Sequence, residues 1–352
     1  MANDSKNIKE QLSIGRIIWP VLIGILVVVY ISYTSFNVKA FLKIDWSGAT
    51  LWWVLLGALF MAGRHIGYMY RVRLLTDYKI GWRQSFEVIT VWEFGSAVTP
   101  STVGGAAVAM FLLAREKISL GRSTGIVLLI TLLDNLFFVL LVPLVYLIVG
   151  HDGIFPADPA CLENINFPAL RSLNSISGIF LIGYGLFFVF VVLFFYGLFI
   201  NPTGLKNVFI KTFSLKWLKR WKEKAIQTGE DLVITSREFQ NKSLAFWVKL
   251  SSVTLVSWTI RFLVLNCTLI AFGDPGHHVT IFARQFVMWI IMLLPTTPGS
   301  SGVAEIAFVS VQCEFLAEGL QAPIVLVWRF LSYYGVLLLG IFILPRWLRR
   351  VF

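Results

Sequence analysis

Thr99-Pro100-Ser101-Thr102-Val103-Gly104-Gly105 interrupts one apolar stretch of this chain, and Thr297-Pro298-Gly299-Ser300-Ser301-Gly302 interrupts another. The stretches cover residues 84–114 and 285–313. Pro removes a backbone donor and Gly loosens a helix, so neither stretch reads as one straight helix. Each reads as a pair of half-helices that returns to the side it entered. Backbone freed at that depth is tolerated only where protein or a water-filled cavity surrounds it.

The composition says which solvent surrounds the rest. Of 352 residues, 57% are hydrophobic and 14% charged, with 30 Phe and 13 Trp. A typical globular domain is about 25% charged. The excess apolar surface belongs in lipid, which excludes a nucleic-acid binder despite the net charge of +11. Three widely spaced Cys exclude a disulfide scaffold. Six runs have few or no charges: 17–38, 46–63, 123–150, 172–205, 243–273 and 319–345. A helix needs roughly 20 residues to cross a bilayer, and these are the expected crossings. The first run is too long for a signal peptide and has no cleavage-site pattern after it, so it reads as a retained anchor.

Charge bias gives the orientation. With the N-terminus inside and both broken segments re-entrant, inside segments hold 23 Lys and Arg and outside segments hold four. Cys161 and Cys313 both fall near the outer face, which leaves room for a disulfide.

Aligned on their Pro residues, the two breaks match. Thr99 meets Thr297, Pro100 meets Pro298, Gly104 meets Gly302, Ala106 meets Ala304 and Ala109 meets Ala307, five identities in eleven positions. Thr102 with Ser300 and Val108 with Ile306 are conservative. Each break is the third element of a span–span–break–span unit, and the units start on opposite sides. The expected fold class is therefore all-α integral membrane, with about six transmembrane helices plus two re-entrant broken helices in a 3+3-type inverted repeat. Both termini are cytoplasmic. One transmembrane domain covers 1–352, with a first repeat at 17–150 and a second at 172–345. Residues 206–242 form a cytoplasmic basic connector, in which Phe213, Trp217 and Trp221 mark an amphipathic helix on the inner leaflet.

Charges inside spans cost about 2.5–3.5 kcal/mol each on insertion scales, so they need a reason. They are Glu87, Glu93, Asp134, Arg261, Glu305 and Arg329. The three acids of the first unit are expected to be offset by the two Arg of the second. They either lock the bundle as ion pairs or line a hydrophilic path for a polar headgroup. Half-helix N-termini at Ser101–Gly105 and Gly299–Gly302 offer backbone N–H groups to an anion. Arg64, Arg71 and Arg73 fall in the expected cytoplasmic loop 64–83, as plain inside charge or as a docking point for anionic lipid. No P-loop, no His-Glu-x-x-His and no metal-ligand spacing occur, so no cofactor or metal is expected. Asp152, Asp158 and Glu163 form the one outward acidic cluster.

Several stretches resemble the flippase-like transmembrane family named after the membrane region of lysylphosphatidylglycerol synthase. They are 71–75 with Lys79-Ile80, Thr99-Pro100 with Gly104-Gly105, and 115–119. Further on come Leu294-Pro295 with Pro298-Gly299, Gly302-Val303 and Glu305, and Arg329 with Gly340. The resemblance runs from the second span to the last. It implies an integral plasma-membrane protein (in a bacterium, of the inner membrane) related to domains that flip aminoacylated phospholipid. One departure is local: the family often places an acidic-Arg pair where Ile130-Thr131 stand here. The chain ends at Phe352, shortly after the last span, so lysyl transfer by a soluble domain is not expected.

The function expected is non-catalytic translocation or binding of a phospholipid or lipid-linked headgroup. The substrate-binding candidates are Arg64, Arg71, Arg73, Glu93, Thr99, Pro100, Gly104, Gly105, Asp134, Arg261, Pro298, Gly299, Gly302, Glu305 and Arg329. The expected partners are membrane lipids with anionic headgroups. A membrane glycosyl or phospho-group transferase, or a partner of a membrane enzyme, stays open.

Overall fold

The computed structural model describes residues 42, 48–99, 102–156, 173–214, 222–293, 297–317 and 319–351. The first expected crossing, 17–38, lies outside them, as does Pro100. Every described element is helical. In chain order they are α1 (Gly48–Leu75), α2 (Trp82–Val98), α3 (Thr102–Arg115), α4 (Leu120–Ile154), α5 (Leu173–Phe195), α6 (Pro202–Phe213), α7 (Lys222–Gln240), α8 (Leu244–Ala271), α9 (His278–Leu293), α10 (Val303–Val311), α11 (Gln321–Arg329) and α12 (Gly335–Val351). A π turn, Phe330–Tyr334, joins α11 to α12 without a break.

Five helical stretches are long and apolar enough to cross a membrane: Gly48–Leu75, Leu120–Ile154, Ile176–Ile200, Leu244–Ala271 and Gln321–Val351. They coincide with the second to sixth expected crossings. Ser119 and Ser243 start α4 and α8 as N-caps, each accepting from the amide three residues on. Leu181, Ile182, Leu186 and Leu193 on α5 are about two-thirds exposed, as a lipid-facing helix requires.

The loop expected at 64–83 is shorter than the charges suggested. α1 continues through Arg64 and Arg71 to Leu75, and both side chains are buried. A helix carries charge that deep only when it is partnered. The connector ends in α7. α7 packs onto α4, where Gly121 receives Asp231 and Gly125 receives Thr235. Its second half is thus docked on protein. Trp217 and Trp221 lie outside the described residues.

Both broken stretches are helical hairpins. In the first, Gly95 packs on Val108, Gly105 on Ser96, and Gly104 on Thr99. At its foot Gln84 Nε2 donates to Glu116 Oε2 at 3.3 Å. In the second, Ser300 Oγ donates to the Met292 carbonyl at 2.6 Å. Its foot is closed by Gln312 Nε2 donating to the Ile281 carbonyl at 3.1 Å. Residues paired in this way run antiparallel, so each hairpin ends beside its own start.

α1 and α8 are packed tightly and antiparallel. Gly57 lies on Val264 and Cys267, Gly63 on Ile260, and Gly67 on Ser257. Small residues let two backbones approach where lipid gives no hydrophobic drive. That register sets Arg64 opposite Arg261.

Candidate intramembrane charge site

Arg64 is the 17th of 28 residues in α1, and Arg261 is the 18th of 28 in α8. Both are therefore near the middle of their helices. Glu93, from α2, reaches the same level. It forms an ion pair with Arg64, and its Oε2 lies 3.0 Å from His65 Nδ1. His65 Nε2 is 3.3 Å from Thr90 Oγ1. Arg64 also stacks on Tyr68, its guanidinium carbon 4.4 Å from the ring centre.

Arg261 is held differently. Its guanidinium stands 4.7 Å from the Trp289 ring centre and 5.3 Å from that of Trp258. It is near enough to Arg64, Glu93 and Tyr68 to interact electrostatically with each. Among the described residues no carboxylate comes within ion-pair distance of it. Half-buried, it carries the least compensated charge of the site.

Next to this cluster is a closed one. Arg71 grips Asp134 with both terminal nitrogens, the longer contact being 3.2 Å. Trp258 Nε1 donates to the same carboxylate at 2.9 Å, and Thr254 accepts from Arg71 at 3.3 Å. A two-pronged pair of this kind holds helices together, although the buried Arg71 Nε has no partner among the described residues.

The second hairpin has its own pair. Arg329 Nε donates to Glu305 Oε1 at 2.6 Å, and Glu305 has no exposed surface. The other Glu305 oxygen accepts the Gly302 amide at 2.7 Å, which caps α10. Arg329 also donates to the Gly299 carbonyl at 3.2 Å. Tyr333 fills the space beside Gly299 and donates to the Ala97 carbonyl at 3.1 Å. The tips of the two hairpins are joined there. The amide at Gly302 is thus bonded internally, although the sequence suggested it as an anion donor. The first hairpin's residues are packed alike: Thr99 Oγ1 donates to the Gly95 carbonyl at 2.8 Å, and Gly104 and Gly105 face Thr99 and Ser96.

One expectation is corrected. The acids of the first unit are not paired with Arg261 and Arg329. Glu93 and Asp134 take Arg64 and Arg71, and Glu87 takes Arg350 at 2.6 Å at the foot of the hairpin. The reason is the antiparallel packing, which puts the two lower turns of α1 beside α2 and α4. Arg73 is half-buried. It stacks on Trp82 at 4.2 Å and donates to the Ile80 carbonyl at 3.2 Å.

His65, Tyr68, Trp258 and Trp289 join the cluster without having been candidates from the sequence. One signal was available. Gly63 and Gly67 have the i, i+4 spacing of a close helix crossing, which marks residues 63–67 as helix within a packed pair. Arg284, counted as an outer-loop cation, is buried. It donates to the Phe155 carbonyl at 3.1 Å and to Glu314 at 2.7 Å.

The model of the lysylphosphatidylglycerol synthase transmembrane region matches residues 17–340. The chain belongs to that family. A relative from Archaeoglobus fulgidus, described as a UPF0104 membrane protein, is 25% identical over 284 residues. The match covers 77% of this chain and 79% of the relative. No solved structure matches. Thr131, in α4, donates its hydroxyl to the Val127 carbonyl at 2.8 Å.

Proposed function

We propose that this family member binds the phosphate of an anionic lipid headgroup between α1 and α8 and passes it across a plasma membrane, with no covalent step. The observation that supports this is the facing pair Arg64 and Arg261, served by the single carboxylate of Glu93. Among the described residues Arg64 and Arg261 face one carboxylate, that of Glu93, so this cluster carries an excess of one positive charge. Such a charge is costly in low dielectric unless an anion joins it. A phosphodiester brings one negative charge and two free oxygens, and a guanidinium binds that geometry bidentately. The acyl chains stay in lipid, so only the head needs a polar path.

The hairpins fit the same proposal. They are the paired discontinuous elements of an inverted repeat, with the tips tied by Tyr333 and Ala97. The termini are cytoplasmic by the charge bias, which stays strongly inward when the buried Arg64, Arg71 and Arg284 are left out of it. Arg71–Asp134 and Arg329–Glu305 act as fixed struts around the moving head.

The test is lipid movement in sealed proteoliposomes of purified protein, with fluorescent phosphatidylglycerol and phosphatidylcholine compared. The expected result is several-fold faster movement of the anionic lipid. Folded protein that moves neither lipid, or both equally, contradicts the proposal.

A further inference from the structure

We infer that His65 takes up a proton when the anionic headgroup binds, so that lipid and proton cross together. This rests on the headgroup site proposed above and adds the ion that accompanies it.

His65 lies in α1 beside Arg64, half-buried, with the edge of its ring against Phe86 at 5.4 Å. The other described histidines are at helix ends: His151 in the last turn of α4, and His277 and His278 at the start of α9. Imidazole is the side chain whose charge ordinarily changes between about pH 5 and 8. The groups bonded to it are Glu93 and Thr90 from α2; Arg64 from its own helix and Arg261 from α8 act on the same Glu93 carboxylate, and Tyr68 lies against Arg64.

The bonding suits both protonation states. In the neutral ring, Nδ1–H donates to Glu93 and Nε2 accepts the Thr90 hydroxyl. In the charged ring both nitrogens donate, and the hydroxyl turns to accept. No other atom has to move.

Charge links the proton to the lipid through Glu93. Without a headgroup, Glu93 is shared by Arg64 and His65. A phosphate that engages the Arg64 and Arg261 guanidiniums supplies a second anion. Arg64 then leans less on Glu93, and that carboxylate is free to stabilise an imidazolium. Anion and proton therefore favour each other, and the coupling is reciprocal. A monoanionic head with one proton carries no net charge, so the membrane potential does not oppose its passage. A pH gradient would then drive it from the acidic to the alkaline side.

The experiment uses proteoliposomes holding a pH-sensitive dye and fluorescent phosphatidylglycerol, with potential clamped by potassium and valinomycin. A tenfold proton gradient should speed wild-type movement of the anionic lipid toward the alkaline side several-fold. The dye should report protons moving the same way. In His65→Gln the side-chain amide can still bridge Glu93 and Thr90 but cannot titrate. That variant should move the lipid at one rate with or without the gradient. If wild type moves phosphatidylglycerol selectively but ignores the gradient and moves no protons, the coupling is wrong and the headgroup site stands. A His65→Gln variant that answers the gradient as wild type does is equally fatal to the coupling. If the variant fails to fold, the wild-type dye signal decides. Folded wild type that moves no lipid overturns both the headgroup site and the coupling.

Discussion

Buried charges in this protein divide by how well they are partnered, and that division decides what each residue should do when removed. Glu305 has no exposed surface and every oxygen bonded, to Arg329 and to the Gly302 amide. Removing one member of such a pair strands the other and costs roughly 3–5 kcal/mol. Arg329→Ala should therefore lower the melting temperature in detergent sharply. An unchanged melt would show that the pair is no strut. Asp77, in the turn after α1, gives a pH test. Burial pushes its carboxyl up, but bonds and charge from Lys242 and Arg122 outweigh this and hold it below the ordinary carboxylate range. Its folded value is thus under its unfolded one. The stability it adds is present above the unfolded value, about 4, and is lost as pH falls through the folded value. Asp77→Asn should flatten the acid limb of the stability profile, and an identical limb would assign that loss to other groups. At this scale the sequence named the charged residues but not their partners. Arg64 and Arg71 read as loop because a charge ends an apolar run. Only the register of α1 on α8 and α2 shows that they are interior.

Among the elements, the α1–α8 crossing carries the account. Its closeness depends on glycines, and at Gly67 a methyl group would overlap Ser257 Oγ. Gly67→Val should therefore spread the two helices, part Arg64 from Arg261 and slow lipid movement by tenfold or more. Adding Ser257→Gly should restore part of the rate in the same assay, because the lost room is returned. A Gly67→Val protein as fast as wild type would mean that the crossing does not set the site. The hairpins were the most legible elements. Thr-Pro with following glycines at 99–105 and 297–302 located both breaks, since Pro and Gly act locally. The return of each half was legible only through charge. What closes the tips was not, because Tyr333 meets Ala97 across 236 residues of chain.

For the molecule as a whole, hydropathy carried furthest. Five of the expected crossings correspond to helices long and apolar enough to span. Apolar length is a one-dimensional property, and a bilayer reads it as one. The functional site is three-dimensional and was legible only in part. Arg261 and Glu93 were among the candidates, whereas His65, Trp258 and Trp289 belong to it by packing alone. The central claim is that the Arg64–Arg261 pair recognises the negative head of a lipid. The most direct measurement is the ratio of phosphatidylglycerol to phosphatidylcholine transfer rates, in matched proteoliposomes of wild type and Arg261→Gln. Among the described residues Arg261 makes no ion pair, so the variant strands no carboxylate and should fold as wild type does. Its ratio should fall toward one as the anionic rate collapses. A wild-type ratio kept intact by Arg261→Gln would contradict the claim.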